Sequence, residues 1–589
     1  MIYHEFIRVL HLDLQREKIH VAERPDLMPY LGGVGIASKL LEENMRPDLP
    51  PLAPEQPIVL AIGALSTIFP VVTKTVAMFI SPLTGELGES YAGGRLAMTM
   101  FEAGYDAVVI TGKAKRPTYL MISDDDIQFR DARTLWGQTI AATGSVIRDY
   151  EKKHSGKRSI ICIGAAGENQ VSYACVTVDL FRHFGRLGLG AVFGSKLLKA
   201  IHLMGDRCIP IQDFKAYFKV YREIYDKCTQ PGGTMAKYHD VGTPINVEPL
   251  NAAGALPTLN LRQNRFDMAS NITGDAFAEK HLVRKLACTG CPVGCIHIGQ
   301  FRRAFSDTQE AHEYETVSVA YDYELIFALG SYLGIGKKTR ILELIDDVEE
   351  YGLDAMSTGV ALGWATEALE NGLISEKETL APLRFGEPEP YRKAIRHIAE
   401  VTNDFYRHLG RGVRVASRAY GGQDYAMHVA GNETPGYHTG YGSLLGAAVA
   451  ARHSHLCNGG YAVDQGLKEG GMDPDAMADA LLKEEVERCL LNSLVMCLFA
   501  RKVYSRDTIL RALASIGQNV SDQDLTDIAR RIYATKLRIK KSLGFDLKDI
   551  RFPKRFFQTP SAHGILNEDT AYEILEKYRA RLAEFEGVT

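Results

Sequence analysis

Short apolar segments separated by turn residues fill the first 210 residues of the chain. Examples are PIVLAIGAL, TVAMFISPL, DAVVITGKA, TYLMISD and SIICIGAAG. Apolar runs of this length, bounded by Gly, Pro and Asp, are typical of β-strands. A helical pattern enters only briefly, as in GGRLAMTMFEAG. The pattern therefore predicts a β-rich domain at residues 1–210.

Helical periodicity takes over from residue 211. KAYFKVYREIYDKC, YRKAIRHIAEVTNDFYRHL and MADALLKEEVERCLLNSLVMCLFARKVY place apolar residues at steps of three and four, as one face of a helix requires. The Gly-containing segment VASRAYGGQD predicts a break between two helical domains. A chain of 589 residues is too long for one hydrophobic core. We therefore predict an α+β multidomain protein, with mostly α-helical domains at 211–417 and 418–589.

Composition and charge exclude several classes of partner. The formal net charge is −4 and the pI is about 6.5, so the chain has no excess of positive charge that would attract nucleic acid or anionic lipid. No apolar run approaches the roughly 18 residues of a membrane span. Charges interrupt the start of the chain, MIYHEFIRVLHLDLQREK, where a signal peptide needs an apolar stretch. We expect a cytoplasmic protein with no nucleic-acid or membrane partner.

Three cysteines crowd into the segment ACTGCPVGCIH at 287–297. Cys288, Cys291 and Cys295 supply three thiolates on one Gly- and Pro-containing loop, a pattern that suits an iron–sulfur cluster. A zinc site would more usually show paired CxxC units or regularly spaced His partners. Zinc and an unliganded loop are the two alternatives. The cluster is the favoured interpretation.

A [4Fe–4S] cluster needs a fourth ligand from elsewhere in the chain. Cys457, Cys489 and Cys497 are the candidates. Spacing alone does not choose between them, because a single Cys on a helical face is also a common core residue.

Five further motifs flank the cysteine loop in a fixed order. They are SPLTGELGESYAGG (81–94), RHFGRLGLGAVFGSK (182–196), EYET (313–316), EYGLDAMSTG (350–359) and SLVMC (493–497). Together with the loop they resemble the aldehyde:ferredoxin oxidoreductase family over essentially the whole chain. Members of that family are tungsten enzymes with two pyranopterin ligands on the metal and a nearby [4Fe–4S] cluster.

The resemblance implies a tungsten or molybdenum bis-pyranopterin, one [4Fe–4S] cluster, and Mg²⁺ bridging the pterin phosphates. Glycine lets backbone groups approach a large planar ligand closely, and arginine offers phosphate or ring acceptors a planar fork. The positions that the resemblance assigns to the pterins are Lys74, Ala92, Gly93, Gly94, Arg182, His183, Gly185, Arg186, Glu349, Asp354, Asn492 and Met496.

The sequence departs from the family pattern at a few of these positions. Glu349 and Asn492 stand where the family has the Asp of its DxxGLD and DxxGLC motifs, and Lys74 stands where it has Arg. Asp354 fits the pattern. The resemblance selects Cys497 as the fourth cluster ligand, with Cys457 as the fallback.

The catalytic assignments also follow from the resemblance. The family uses a Glu in an EYE-type segment, for which we expect Glu313 ahead of Glu315. It also uses a His in the C-terminal domain. In TPGYHTGYGSLLGAAVAARHSHLCNGGY we expect His455 ahead of His453, because imidazoles near a guanidinium need partners inside a core.

Three functions are compatible with these motifs. The first is oxidation of aldehydes to carboxylic acids, with electrons leaving through the cluster to ferredoxin. The second is a reductase subunit that acts on an aromatic acyl-CoA or another activated acid, as the C-terminal segment resembles the tungsten subunit of class II benzoyl-CoA reductase. The third is an iron–sulfur electron-transfer protein without pterin. We expect a ferredoxin-like partner, a small-molecule substrate, and a homodimer or larger complex.

Overall fold

The N-terminal part contains twelve strands in a computed structural model of the protein, which describes residues 4–124, 126–151, 157–233, 235–304, 314–467 and 473–588. The strands are β1 (Ile7–Asp13), β2 (Lys18–Arg24), β3 (Ile58–Ala61), β4 (Thr75–Ile80), β5 (Leu87–Ala92), β6 (Ala107–Thr111), β7 (Thr118–Ile122), β8 (Ile127–Asp131), β9 (Lys157–Cys162), β10 (Val176–Val178), β11 (Arg182–Phe184) and β12 (Leu198–Gly205). The helices between them are α1 (Gly33–Asn44), α2 (Leu96–Glu102), α3 (Ile140–Tyr150), α4 (Ala165–Glu168) and α5 (Leu189–Ser195).

These strands form two six-stranded sheets. The first has the order β2-β1-β6-β3-β4-β5 and the second the order β11-β10-β9-β12-β7-β8. In the first sheet, Thr75 on β4 lies opposite Ala92 on β5. Because neighbouring strands keep their register to their ends, Lys74 and Gly93 leave the sheet side by side. This edge leads directly to the candidate site.

Helices dominate the rest of the chain. They are α6 (Phe214–Thr229), α7 (Ala236–Asp240), α8 (Val247–Ala252), α9 (Gly274–Lys280), α10 (Tyr323–Leu329), α11 (Lys338–Tyr351), α12 (Ala355–Glu370), α13 (Glu376–Thr379), α14 (Pro388–Glu400), α15 (Asp404–Leu409), α16 (Val413–Tyr420), α17 (Tyr441–Val449), α18 (Gly460–Gln465), α19 (Pro474–Ser493), α20 (Arg506–Ala514), α21 (Asp522–Ser542), α22 (Arg555–Gln558) and α23 (Glu568–Val588). A small antiparallel sheet joins β13 (Leu282–Leu286), β14 (Ile296–Ala304) and β15 (Tyr314–Tyr321), and a two-stranded ribbon joins β16 (His428–Val429) to β17 (Asn432–Glu433). The predicted fold class is confirmed, while the domain ends at 210 and 417 stay predictions. In the described part of the chain, no helix is long and apolar enough to cross a membrane.

The C-terminal helices share their apolar side chains between two cores. Leu490, Ile509 and Ile532 belong to the same buried cluster as Leu60 and Phe79 of the first sheet. The beginning of α19 instead packs with α12 and α17 in a second cluster. The last third of the chain therefore ties the sheet-rich and helical parts together.

Two glycines of the N-terminal part hold the turn that follows α19. A Cβ atom on Gly33 would lie 2.5 Å from the Ser493 carbonyl oxygen, and one on Gly63 would lie 2.6 Å from that of Leu494. Only glycine allows backbones to approach this closely. This contact fixes the segment that carries Asn492 and leads to Cys497.

Gly33→Ala tests this packing. Its φ of +42° and the contact with Ser493 predict a loss of at least about 2 kcal/mol in the free energy of unfolding. The matched control is Gly144→Ala in α3, where an added Cβ meets no atom within 4 Å and alanine favours the helix by up to about 1 kcal/mol. Thermal unfolding of both variants measures the difference. Equal midpoints for the two variants would contradict the packing described.

Candidate metal and cofactor site

The cysteine loop connects β13 to β14. Cys288 is buried, whereas Cys291 and Cys295 are half-buried. The loop turns at Gly290 and Gly294, whose φ angles are +79° and +64°, values that glycine adopts without strain. The Cys291 N–H donates to the Cys288 carbonyl oxygen at 3.0 Å. The glycines therefore shape the loop that presents the three thiols.

Backbone hydrogen bonds bring Cys497 to this loop. The Cys497 N–H donates to the Val71 carbonyl oxygen at 3.0 Å, and the Val71 N–H donates to the Gly290 carbonyl oxygen at 3.3 Å. Burial and then the neighbouring Cys497 raise the pKa of Cys295 to about 11. Burial and Cys497 also raise the pKa of Cys291. The structure thus places Cys497 beside the three loop thiols.

The other two candidate ligands lie in different surroundings. The Cys457 thiol contacts the Glu89 carboxylate at 3.4 Å and accepts a hydrogen bond from Arg452 Nε at 3.0 Å. Cys489 belongs to the core of the sheet-rich part. Between the described residues, no group of three or more His, Cys, Asp or Glu side chains is close enough to hold a single metal ion.

Positive charge surrounds the most buried thiol. Burial would raise the pKa of Cys288, but the charges of Lys74 and Arg182 outweigh it and hold that pKa below its usual value. A Cβ atom on Gly93 would lie 2.5 Å from Cys288 Sγ and 3.2 Å from Lys74 Nζ. Gly93 therefore leaves the space in which the thiol meets its counter-charges. Thiolate ligands of a metal centre need such an environment.

Unpartnered polar atoms are concentrated on the predicted pterin residues. Five of the predicted pterin residues carry a buried side-chain nitrogen or oxygen without a hydrogen-bond partner. They are Arg182, His183, Arg186, Glu349 and Asn492. Each such atom costs about 1–3 kcal/mol if it stays unpaired. These residues therefore fit a large ligand that has many hydrogen-bonding edges.

Different elements contribute these side chains. Arg182 and His183 lie on β11, Glu349 in the last turn of α11, and Asn492 near the end of α19. His183 Nε2 and Glu349 Oε1 are 4.0 Å apart, too far for a hydrogen bond. Burial, then the nearby Asp346, raises the pKa of Glu349 well above its ordinary value.

Asp354 has partners on both carboxylate oxygens. It caps α12 by accepting from the Met356 N–H at 3.0 Å, and it accepts from Ser357 Oγ at 2.6 Å. Arg186 Nε donates to the same carboxylate at 3.1 Å. Arg186 Nη2 also donates to the Glu433 carbonyl oxygen at 2.7 Å. Asp354 and Glu433 therefore orient Arg186, whose buried Nη1 has no partner.

The small residues assigned to the pterins lie around the same space. Ala92 ends β5 beside Gly93, and Met496 is buried next to Cys497. Gly94 has a φ of +94°, and its carbonyl oxygen accepts from the Thr289 N–H at 3.0 Å. Around Gly185, an added Cβ would meet only His183 Cβ, at 3.8 Å.

The two histidines differ in their partners. His453 Nε2 lies 3.0 Å from both Glu86 Oε2 and Lys540 Nζ, and His453 Nδ1 lies 3.1 Å from the Ala447 carbonyl oxygen. Both of its nitrogens are therefore engaged inside the protein. His455 instead has a buried Nδ1 without a partner.

His455 faces a carboxyl group that the sequence analysis missed. Its Nε2 lies 3.3 Å from Glu324 Oε1, and the second Glu324 oxygen accepts from the Gly436 N–H at 3.3 Å. Burial raises the pKa of Glu324 to about 8. Burial, then Arg186 and Arg452, lowers the pKa of His455 to about 3. Both shifts favour the uncharged forms of the pair, and Glu324 Oε1, like His455 Nδ1, has no hydrogen-bond partner.

The structure describes one of the two glutamates predicted from the sequence. Glu315 is on β15, is 38% exposed and pairs with Arg303. Glu313 lies outside the described residues. The sequence feature that could have identified Glu324 is the triplet Asp322-Tyr323-Glu324, an EYE-like segment at the start of α10. It follows a strand and opens a helix, whereas the EYET segment enters a strand.

Comparisons with known proteins identify the family of the chain. The model of the aldehyde ferredoxin oxidoreductase N-terminal domain matches residues 9–205, and the model of domains 2 and 3 of that family matches residues 219–585. The tungsten-containing aldehyde ferredoxin oxidoreductase of Pyrococcus furiosus is 32% identical over 582 residues, covering 96% of this chain and 93% of the relative. The corresponding enzyme of Thermococcus kodakarensis has the same identity and coverage.

Two further similarities are less close. The aliphatic sulfonate oxidoreductase WOR-like subunit of Pyrococcus furiosus is 30% identical, covering 67% of this chain and 64% of the relative. The benzoyl coenzyme A reductase complex BamBC contains a chain of the same fold, with a TM-score of 0.83 at 19% identity, covering 98% of this chain and 94% of that one. The predicted resemblance is confirmed, and the chain belongs to the aldehyde ferredoxin oxidoreductase family.

Proposed function

We propose that this protein oxidises aldehydes to carboxylic acids and passes the electrons through a [4Fe–4S] cluster to a ferredoxin-type acceptor. In the balanced reaction, an aldehyde and a water molecule give the acid, two protons and two electrons. The observation that carries the proposal is the buried pair of Glu324 and His455, 3.3 Å apart and close enough to Arg186 for its charge to act on both. Membership in a family with tungsten-containing relatives supports it.

The cofactor in this proposal is a tungsten or molybdenum bis-pyranopterin, which supplies a two-electron redox centre when bound. Arg182, Arg186 and His183 would donate to its phosphates and rings. Glu349 and Asn492 would meet the amino and carbonyl edges of the pterins. The glycines after β5 let the ligand approach the backbone, and Mg²⁺ would bridge the pterin phosphates.

Glu324 and His455 divide the proton chemistry. In its ionised form Glu324 takes a proton from the water that attacks the carbonyl carbon, so it acts as a general base. Its raised pKa makes it a stronger base than an exposed glutamate. Once Glu324 is protonated, its O–H can donate to His455 Nε2, and in its Nδ1–H tautomer His455 can donate to the oxygen of the substrate.

The four thiols of Cys288, Cys291, Cys295 and Cys497 would bind the cluster. Lys74 and Arg182 would stabilise the negative charge of a bound cluster, which would supply one-electron transfer. A ferredoxin or ferredoxin-like subunit would receive them, in a homodimer or larger complex. One relative is itself named a subunit. All ten cysteines are unpaired, which suits a reducing cytoplasm.

The second candidate function is reduction of an aromatic acyl-CoA or another activated acid. The shared fold with a chain of the benzoyl coenzyme A reductase complex favours it. Both functions use the same cofactors in opposite directions of electron flow. The unpartnered polar atoms beside the cysteines argue against the third candidate, an electron-transfer protein with a cluster alone.

Glu324→Gln tests the proposed base. The amide cannot accept the proton, so kcat with aldehydes should fall by about 10²–10⁴-fold, while iron, tungsten or molybdenum, and pterin contents stay unchanged. The assay follows reduction of a viologen dye under anaerobic conditions with a panel of aldehydes. The matched control Glu315→Gln should keep wild-type rates, because Glu315 pairs with Arg303 at the surface. A Glu324→Gln enzyme that runs at full speed would refute the assignment.

The pH profile gives a second test of Glu324. Its pKa is raised to about 8, and only the ionised form can act as a base. The value of kcat/KM should therefore rise about tenfold per pH unit below pH 8 and level off above it. A profile that is flat between pH 6 and 9 would contradict this role.

Cys497→Ser tests the fourth cluster ligand. We expect iron content to fall and the low-temperature EPR signal of the reduced cluster to be lost or converted, because serine replaces the soft thiolate with a hard hydroxyl. Cys457→Ser is the control and should keep both iron and signal. The reverse result for the two variants would make Cys457 the ligand.

A further inference from the structure

Two exposed phenylalanines lie one turn apart on α6. Phe214 is 64% exposed and Phe218 is 48% exposed. Among the residues that the structure describes, no other phenylalanine is exposed. Residues four positions apart share one face of a helix, so the two rings form a single apolar surface. Exposed apolar surface of this kind is typical of a site that contacts another protein.

Ring contacts extend this surface along the helix. Phe218 stacks on Phe214 with ring centroids 5.7 Å apart and on Tyr221 at 6.4 Å. Tyr221 stacks on Tyr225 at 6.2 Å. We call these four rings the α6 aromatic stripe. Aromatic side chains are enriched at protein interfaces, where they supply large contact areas.

The α6 aromatic stripe lies next to the segment that contacts the cysteine loop. Tyr217 of α6 packs against Tyr221 of the stripe, with ring centroids 5.8 Å apart. The Tyr217 hydroxyl donates to the Ile68 carbonyl oxygen at 2.6 Å. Three residues later, Val71 forms the backbone hydrogen bonds to the cysteine loop and to Cys497. A partner on the stripe would therefore lie beside the proposed cluster ligands.

The cysteine loop itself reaches the protein surface. Gly290 is exposed, and Cys291 and Cys497 are half-buried. The Gly290 carbonyl oxygen accepts from the Val71 N–H at 3.3 Å, so the exposed part of the loop is joined to the segment beside the stripe. A partner docked here would approach the proposed cluster without crossing a hydrophobic core.

Two lysines give the surface a positive charge. Lys215 and Lys219 are exposed, and each directly follows a phenylalanine of the stripe, about 100° around the helix. In the described part of the chain neither lysine forms an ion pair, whereas the acidic residues Asp226 and Glu223 of α6 are both paired with cations. The surface is therefore locally positive on a chain of net charge −4, and it would attract an acidic partner.

We propose that the α6 aromatic stripe and its two lysines dock an acidic ferredoxin-type electron carrier beside the cysteine loop. This inference rests on the proposed function and names the surface that its electron acceptor uses. Oxidation of one aldehyde releases two electrons, and a carrier with two oxidised [4Fe–4S] clusters takes them up as two one-electron reductions. The rings supply contact area, and carboxylates of the carrier pair with the lysines. In a two-fold contact, a second copy of the chain would instead present the same positive surface.

Phe218→Ser tests the aromatic contact. The probe is a purified acidic bacterial ferredoxin with two [4Fe–4S] clusters, and calorimetry measures its dissociation constant on the anaerobically prepared holoenzyme. Loss of the ring should weaken binding about tenfold or more. The rate with a viologen dye should stay at the wild-type value, because this small acceptor needs no docking surface. The matched control is Tyr150→Ser, since Tyr150 is 69% exposed on α3, and it should keep the wild-type affinity.

Lys219→Glu tests the charge. At low ionic strength it should weaken ferredoxin binding about fivefold or more, because a carboxylate would face the acidic carrier. The difference should shrink at about 0.5 M salt, where charges on the surface are screened. The control is Lys393→Glu on α14, another exposed lysine without an ion pair among the described residues, and it should leave the affinity unchanged.

Three outcomes would contradict one of the two proposals. Equal ferredoxin affinity in the wild type and in all four variants would overturn the docking surface and leave aldehyde oxidation standing. Conversion of a dimer into a monomer by Phe218→Ser would also overturn it, since a second copy of the chain would then cover the stripe. Weaker ferredoxin binding in Phe218→Ser and Lys219→Glu, with no aldehyde oxidised by the wild type with either acceptor, would overturn the proposed function and leave the docking surface standing.

Discussion

Buried hydrogen-bonding groups without partners are the constraint on which the rest of this structure depends. Arg182, His183, Arg186, Glu349 and Asn492, all of them predicted pterin residues, each keep such an atom. At about 1–3 kcal/mol each, these unmade bonds are comparable with the whole stability of a typical domain, about 5–15 kcal/mol. A bound ligand with matching edges would remove this cost. Binding of the proposed cofactor would therefore be coupled to folding stability.

The site is assembled from segments that lie far apart in the chain. Glycines at 33 and 63 hold the turn after α19 through backbone contacts, and Val71 links Cys497 to the cysteine loop. Helices of the last third also pack on the first sheet, and this packing helps to fix that turn. The proposed cofactor space is thus rigid on the side of the cluster.

The sequence predicted what local spacing encodes. Strand and helix patterns gave the fold class, and the ordered motifs around Cys288–Cys295 gave the family and Cys497. It did not predict which elements share a core, since periodicity says nothing about long-range packing. It also favoured Glu313 for its place relative to the cysteine loop, and this stays a prediction because Glu313 lies outside the described residues. The structure places the similar triplet with Glu324 at a helix start opposite His455, a contact that local spacing does not encode. In the same way, His453 and His455 differ only through their partners.

The central claim is that the chain binds a metal bis-pterin that transfers electrons to an iron–sulfur cluster. Elemental and pterin analysis of the anaerobically purified protein tests it most directly. The account predicts about four irons for one cluster, one tungsten or molybdenum, and two pterins in each chain. A fully folded protein that contains iron but neither pterin nor tungsten or molybdenum would contradict it.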